Sequence, residues 1–136
     1  MQTFLPYPDF QETAKCLDWR RLGKQRVEAQ QILNTLSKSS KKGWKNHPAV
    51  LMWEGFEECL KHYRNTMIQE WIKRGYNNTM EILEVSEDYD FPCFLGNQNF
   101  HASHRSNLLR KDSKWYGQYG WKEKDNLPYI WPTKLK

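Results

Sequence analysis

The residues best placed to do chemistry are polar and charged side chains on the inward face of a predicted helix near the N-terminus. At 3.6 residues per turn, Asp18, Gln25 and Arg26 fall on the face that also carries an apolar stripe, and Arg21 lies at its edge. The stripe is formed by Leu22, Ala29, Leu33 and Leu36, with Ile32 at its edge. Unpaired charge is costly to bury, so these polar groups either pair inside the protein or line a cleft. We interpret them as the wall of a cleft.

A second set of candidates lies further along the chain, where His101, His104 and Arg105 share one side of a predicted helix. Two histidines three residues apart could hold a metal ion if carboxylates joined them. The sequence has no HExxH motif, and we expect no metal. Histidines beside an arginine suit phosphate contacts better. The alternative is that each histidine is exposed or satisfied within the core.

The stretch from Trp115 to Trp121 is rich in aromatic residues and glycine. Trp115, Tyr116 and Tyr119 could form a platform on which nucleic-acid bases stack. Basic residues flank the stretch on both sides, namely Arg110, Lys111, Lys114 and Lys122. The alternative is that this C-terminal segment fills a gap in the core.

Composition favours one intracellular domain with a polyanionic partner. The 136 residues carry a formal charge of +5 and include seven Trp, seven Tyr and six Phe. Cys16, Cys59 and Cys93 match no zinc or CxxC spacing, so we expect reduced thiols and a cytoplasmic protein. No signal peptide, long apolar run or lipidation motif is present, so we expect no membrane association. A basic protein with no such partner stays open on charge alone.

Helix-capping signals predict the first of three main helices. Asp9 followed by Glu12 resembles a capping box and predicts a helix from near Phe10 to about Leu36. Gly23 lies inside it and marks either a kink or a close approach of another backbone or a ligand. The loop that follows, residues 37–43, contains three lysines and is either a solvated connection or a phosphate contact.

The remaining chain predicts two more long helices and no convincing strand. One helix begins at His47-Pro48 and ends at Lys73-Arg74-Gly75. The other is capped by Asn99 and covers residues 100–110. We expect a short helix at residues 80–85 and an irregular aromatic C-terminal segment. The predicted class is all-α, a compact single domain over residues 1–136.

Taken together, these features resemble the pyrimidine-dimer DNA glycosylases of the endonuclease V type. The resemblance lies in the charged patch of the first helix, the helix from His47 through Trp53 to Arg74-Gly75-Tyr76, the helix from His101 to Arg110, and the Trp115-Tyr116-x-x-Tyr119-Gly120 stretch. It implies an all-α enzyme that removes a damaged base and nicks the resulting abasic site. It implies no cofactor and no metal.

The resemblance also implies a nucleophile, the α-amine at the start of the chain. In the family this amine is exposed when Met is removed ahead of a small residue. Here Gln2 follows Met1, so we expect Met1 to be retained and its amine to attack the sugar. An α-amine has an ordinary pKa of about 7.7–8.0, so a larger fraction is neutral near pH 7 than for lysine.

A second departure concerns the assisting carboxylate. An ungapped match anchored on Leu17, Arg26 and Val27 places Gly23 where the family has its catalytic glutamate. The carboxylate must then come from elsewhere. Asp18 is the first candidate and Glu28 the second. Lys24 is a further amine candidate, with a solvated lysine as the alternative.

The resemblance assigns a DNA contact to Arg26, which matches a family arginine. The other predicted DNA-contacting residues are Arg20, Arg21, Gln25, His101, His104, Arg105, Lys114, Trp115, Tyr116 and Tyr119. The resulting hypothesis is a monomeric enzyme that excises a damaged or modified pyrimidine from duplex DNA, with β-elimination through a Schiff base. The alternatives are a non-catalytic DNA-binding module on the same scaffold and an enzyme acting on a small nucleotide-like anion.

Overall fold

The computed structural model describes residues 1–37 and 47–132, and within them it contains helices and no strand. The predicted all-α class is confirmed. The lysine-rich loop at residues 37–43 lies outside the described residues except for Ser37. In chain order the helices are α1 (Phe10–Cys16), α2 (Trp19–Ser37), α3 (Pro48–Leu51), α4 (Glu57–Lys73), α5 (Gln98–Lys111), α6 (Ser113–Tyr116) and a 3₁₀ turn (Gly117–Tyr119).

The first predicted helix is two helices, α1 and α2. Asp9 caps α1 as expected, and its carboxylate accepts a hydrogen bond from the Glu12 amide at 3.0 Å. The chain leaves α1 at Leu17, whose backbone is extended. It re-enters helix after Asp18, whose carboxylate accepts from the Arg21 amide at 3.4 Å. A side chain that satisfies a first-turn amide favours a helix start, and this explains the break.

The second predicted helix is also divided, into α3 and α4. The side chain of His47 caps α3 by accepting from the Ala49 amide at 3.0 Å. Turns around Gly55, which has a φ of +88°, separate α3 from α4. The predicted end at Lys73 is confirmed. Gly75, with a φ of +91°, follows it in the left-handed conformation that glycine favours.

The short helix expected at residues 80–85 is wrong. This segment has no helical hydrogen bonds, because side chains of α4 take its backbone groups. The amide of Asn65 accepts from the Leu83 N–H at 3.0 Å and donates to the Leu83 carbonyl at 2.8 Å. Arg64 donates to the Glu81 carbonyl at 2.9 Å. If residues 80–85 formed a helix, their backbone groups would lose these side-chain partners.

Two smaller boundaries also differ from the predictions. Helix α5 is capped by Asn97, which accepts from the Phe100 amide at 3.1 Å, so the cap lies two residues before Asn99. The aromatic C-terminal segment, expected to be irregular, begins with the short helix α6 because Asp112 accepts from the Trp115 amide at 3.1 Å.

The core lies between α2, α4 and α5, and the N-terminal segment passes through it. The fully buried large side chains include Trp53, Leu60, Tyr63 and Met67, which follow one stripe of the second predicted helix. Residues 3–6 are also buried. A buried backbone must have its polar groups satisfied. The partners of residues 2–6 therefore decide where the start of the chain lies.

All three cysteines are free, with Cys16 and Cys59 buried and Cys93 exposed. Burial raises the pKa of the Cys16 thiol to about 12, which keeps it protonated. In residues 1–37 and 47–132, no helix has the length and apolar character needed to cross a membrane.

Candidate functional site

The N-terminal segment is held against α2 by Gln25. This side chain is fully buried and accepts from the Phe4 amide at 3.0 Å while donating to the Gln2 carbonyl at 3.0 Å. The Tyr63 hydroxyl lies 2.6 Å from Gln25 Oε1 and 2.8 Å from the Phe4 carbonyl. Gln25 lies on the inward face as predicted. Its partners are the backbone of the chain's own start, and it also lines a cavity.

Two buried histidines of α5 hold the same segment one residue further on. His104 Nδ1 accepts from the Leu5 amide at 3.0 Å. His101 Nε2 accepts from the Gly96 amide at 2.8 Å, so its Nδ1 donates to the Leu5 carbonyl at 2.7 Å. Burial lowers the pKa of His104 to about 3, and it also lowers the pKa of His101. Both rings are neutral near pH 7.

This placement argues against the predicted phosphate-contacting role of His101 and His104, because neither ring reaches the surface. Arg105 is likewise committed within the protein. It forms an ion pair with Glu123 at 2.8 Å and donates to the Pro6 carbonyl at 2.7 Å. These three residues position the N-terminal segment. In the described part of the chain, no cluster of three His, Cys, Asp or Glu side chains could hold a metal ion.

Glu28 meets the start of the chain. Its Oε1 accepts from the Gln2 amide at 2.7 Å, next to the terminal residue Met1. Glu28 and Lys24 line two adjoining cavities, of about 680 Å³ and about 730 Å³. Met1 and Gly23 line the first cavity, and Gln2 lines the second. A carboxylate, a lysine and the chain terminus therefore share one open region.

Asp18 lies in the wall of the second cavity but is paired within the protein. The Tyr116 hydroxyl donates to its carboxylate, and Arg21 forms an ion pair with it at 3.2 Å. Burial alone would raise the pKa of Asp18, but the hydrogen bonds from Tyr116 and Arg21 outweigh it and hold the pKa below its usual range. Asp18 is thus ionised and already neutralised. The sequence left two alternatives for the charged patch, pairing inside the protein or lining a cleft. Both describe Asp18 and Arg21, which pair with each other and also line the second cavity.

The second cavity, of about 730 Å³, is called the polar cavity from here on. It is lined mainly by charged residues of α2 and by the start of α6. Its basic residues are Arg20, Arg21, Lys24 and Lys111, and its acidic residues are Asp18, Glu28 and Asp112. Trp115 lines it as well and donates its indole N–H to the Cys16 carbonyl at 2.8 Å. The region has both the basic groups that bind phosphates and a carboxylate beside an amine.

Gly23 has a packing explanation. A Cβ at this position would lie 2.9 Å from Trp71 Cζ3, which is closer than real Cβ contacts. The missing side chain therefore allows α4 to press an indole ring onto α2. The group that approaches is a side chain, whereas the sequence analysis expected a kink, another backbone or a ligand. A glutamate at position 23 would displace Trp71.

Arg26 is directed toward the same indole. Its guanidinium lies 4.3 Å from the centre of the Trp71 ring and donates to Asn78 Oδ1 at 2.8 Å and to the Gly23 carbonyl at 3.2 Å. Burial lowers its pKa, but the ordinary value is so high that the group stays charged. Arg26 lines neither of the two cavities described above.

The C-terminal aromatic stretch mostly packs against itself. Tyr116 is fully buried, and its ring stacks on Trp121 with centroids 5.7 Å apart. Tyr119 also stacks on Trp121, with ring centroids 5.6 Å apart. Trp115 and Lys114 are exposed. The arrangement favours the core-filling alternative for Tyr116 and Tyr119, and the platform is not formed by them.

His47 is a member of this region that the sequence analysis treated only as a helix start. Burial lowers its pKa, the positive N-terminal amine lowers it further, and Glu28 opposes both effects. His47 is therefore within electrostatic range of both the terminal amine and Glu28. Only its place before Pro48 drew attention to it in the sequence, because spacing along the chain carries no information about a partner 46 residues away.

One comparison with known proteins identifies a family. The sequence model of a family described as "Pyrimidine dimer DNA glycosylase" matches residues 1–84, which is more than half of the chain. The matched region includes α1 to α4 and the residues Met1, Lys24 and Glu28. It ends before α5 and the aromatic stretch. No match was found among curated proteins or among solved structures.

Proposed function

The chain belongs to the pyrimidine dimer DNA glycosylase family, and from that membership we propose that it excises a damaged pyrimidine from duplex DNA and cleaves the abasic site by β-elimination. The membership itself makes DNA the substrate and DNA repair the process. The proposed nucleophile is the α-amine of Met1, and the proposed assisting carboxylate is Glu28.

The contact between Glu28 and the Gln2 amide carries this proposal. It places a carboxylate one residue from the terminal amine, at a cavity of about 680 Å³ that Met1 also lines. Asp18, the first candidate from the sequence, is already neutralised by Arg21 and Tyr116. Glu28 therefore suits the role better. Gly23 removes the carboxylate that the family resemblance places on this helix, and Glu28 supplies one from just over a turn further along.

The proposed steps use only the amine, the carboxylate and water. The neutral amine attacks the sugar C1′ and forms a C–N bond, while the glycosidic bond breaks and the base leaves with its electron pair and takes a proton. Glu28 accepts the proton that the amine loses. The nitrogen lone pair then forms a C1′=N bond as the C1′–O4′ bond breaks, and O4′ takes the proton from Glu28. The Glu28 carboxylate next removes a C2′ proton from this iminium, and the 3′ phosphate leaves with the C3′–O electron pair. Water then hydrolyses the imine and restores the amine.

Borohydride trapping on duplex DNA with one abasic site tests the chemistry. The wild-type chain should form a covalent adduct through Met1. Glu28→Gln keeps the acceptor for the Gln2 amide and should slow trapping by at least about 100-fold while DNA affinity stays nearly unchanged. Glu87→Gln, an exposed glutamate outside both cavities, is the matched control and should trap like the wild type.

Two further variants separate the assignments. A short extension before Met1 should abolish trapping, because no α-amine then lies beside Glu28. Asp18→Asn should trap at the wild-type rate and lose only stability. If Asp18→Asn stays folded and loses trapping while Glu28→Gln keeps it, the two carboxylates exchange roles. Adduct formation in the extended chain would assign the attack to Lys24.

A non-catalytic DNA-binding module is the second candidate, and Gly23 is the observation that favours it. The family resemblance places the catalytic carboxylate at this position, and Trp71 fills the space instead. Tight duplex binding with neither adduct nor base release would establish the module and refute the glycosylase.

A further inference from the structure

Three aromatic rings and two arginines form a ladder on the surface beside the polar cavity. Starting inside, the Arg26 guanidinium lies 4.3 Å from the Trp71 ring centre, and Trp71 lies 4.4 Å from Tyr76. Tyr76 lies 6.4 Å from Trp19, and the Arg20 guanidinium lies 5.4 Å from the Trp19 ring centre. We call these five residues the aromatic ladder.

The inner half of the ladder is built by specific backbone features. Gly23 allows Trp71 to approach α2, and the Trp71 indole N–H donates to the Asn77 carbonyl at 2.6 Å. The left-handed Gly75 then turns the chain so that the Tyr76 amide donates to the Trp71 carbonyl at 3.3 Å. This helix ending brings the residue after the glycine into contact with the last turn, which is how Tyr76 meets Trp71.

The outer half of the ladder is exposed. Trp19 is 52% exposed and Tyr76 is 40% exposed, although both are large rings adjacent to a third. Core packing does not require Trp19 to stand there. A supported but uncovered indole is the arrangement that proteins use to stack an unpaired base.

The ladder adjoins the proposed reaction centre. Trp19 and Arg20 line the same cavity of about 730 Å³ as Lys24 and Glu28. Arg20 is itself exposed, so its guanidinium can exchange the indole for a phosphate oxygen. The positive charge of Arg20 at this edge of the cavity fits a nucleotide. It would disfavour an apolar partner with few acidic residues.

We propose that Trp19 stacks on a nucleobase that has left the DNA duplex, with Tyr76, Trp71 and Arg26 as its rigid support and Arg20 on the adjoining phosphate. Enzymes that act on a base inside a duplex must displace a nucleotide, and the ladder lies where such a nucleotide would emerge from the cavity. This inference rests on the DNA-binding part of the proposed function and is independent of the amine chemistry.

Binding of a duplex with a single bulged 2-aminopurine tests the inference, because stacking quenches the fluorescence of this base. The wild-type chain should quench it and bind the bulged duplex more tightly than the fully paired one. Trp19→Ala should lose the quenching and roughly tenfold of the affinity for the bulged duplex. Trp19→Phe should recover most of both.

Phe91→Ala is the matched control, since Phe91 is 65% exposed and lies outside both cavities. It should behave as the wild type. Equal quenching and equal affinity of Trp19→Ala and the wild type would overturn the inference while leaving the proposed function intact. If the wild-type chain quenches the fluorescence of the bulged base but forms no adduct with borohydride, the amine chemistry alone is overturned. A wild-type chain that binds neither duplex would overturn both.

Discussion

At the scale of single residues, the packing around Gly23 explains why Glu28 is the proposed carboxylate. The sequence resemblance places a carboxylate at position 23, where a Cβ would lie 2.9 Å from Trp71. The indole excludes a side chain there, and Glu28 presents its carboxylate to the Gln2 amide instead. Gly23 within a helix costs about 1 kcal/mol relative to Ala, so its presence needs the packing reason that Trp71 supplies.

A double-mutant cycle tests this explanation. Gly23→Ala alone should lower the free energy of unfolding by about 1–2 kcal/mol, because overpacking against Trp71 outweighs the gain in helix propensity. In a Trp71→Ala background the same substitution should raise it by about 1 kcal/mol. Urea denaturation measures both. A stabilising effect of Gly23→Ala in the wild-type background would contradict the packing explanation.

At the scale of elements, α5 and α2 together hold the N-terminal segment. His101 and His104 of α5 bind both backbone groups of Leu5, and Gln25 of α2 binds Gln2 and Phe4. The segment therefore enters the core in one register. Because a backbone shift of one residue would break all of these bonds, the position of Met1 beside Glu28 follows from contacts made three and four residues away.

The pH dependence of stability tests the role of α5. His104 is neutral when folded, with a pKa of about 3, and has an ordinary pKa of 6.5 when unfolded. Below pH 6.5 the unfolded state binds more protons, so stability is full above this pH and falls as the pH drops toward 3. Between pH 7 and pH 5 the loss through His104 should be about 2 kcal/mol.

His104→Asn is the informative variant, because the asparagine oxygen can accept from the Leu5 amide and does not titrate. Its thermal unfolding between pH 7 and pH 5 should depend less steeply on pH than that of the wild type. Asp18 has a lowered pKa and contributes only at lower pH, so it does not enter this range. Identical slopes for the two proteins would show that His104 is not buried in its neutral form.

At the scale of the whole molecule, basic groups and aromatic rings surround one open region. The chain carries a formal charge of +5, and Arg20, Lys24 and Lys111 line the polar cavity. The other predicted DNA-contacting residues fall into two sets. Lys114 and Trp115 face outward near the cavity, whereas Arg105, Tyr116 and both histidines of α5 are engaged inside the protein.

The salt dependence of duplex binding tests this division. A contact with one phosphate contributes about one unit to the slope of log K against log salt. Arg20→Gln and Lys24→Gln should each flatten the slope by about one. Lys61→Gln, whose lysine is paired with Glu58 at 2.7 Å outside the cavities, should leave it unchanged. An effect of Lys61 as large as that of Arg20 would indicate charge acting at a distance.

The sequence by itself determined the helical class, the Asp9 cap of α1, the end of α4 at Lys73 and the inward face of α2. These follow from spacing and capping within a few residues, where chain geometry leaves little choice. The helix expected at residues 80–85 failed because Asn65 and Arg64, more than 15 residues away in the chain, satisfy that backbone.

Only the tertiary structure decided which polar groups meet. The helical wheel made Asp18 the first candidate carboxylate and Glu28 the second, but Asp18 meets Tyr116 and Arg21 while Glu28 meets the start of the chain. Likewise, His101 and Trp19 are both ring side chains on predicted helices. His101 is buried, whereas Trp19 is half exposed. Such choices depend on contacts between distant segments, such as Asp18 and Tyr116, which are 98 residues apart, and no local pattern records them.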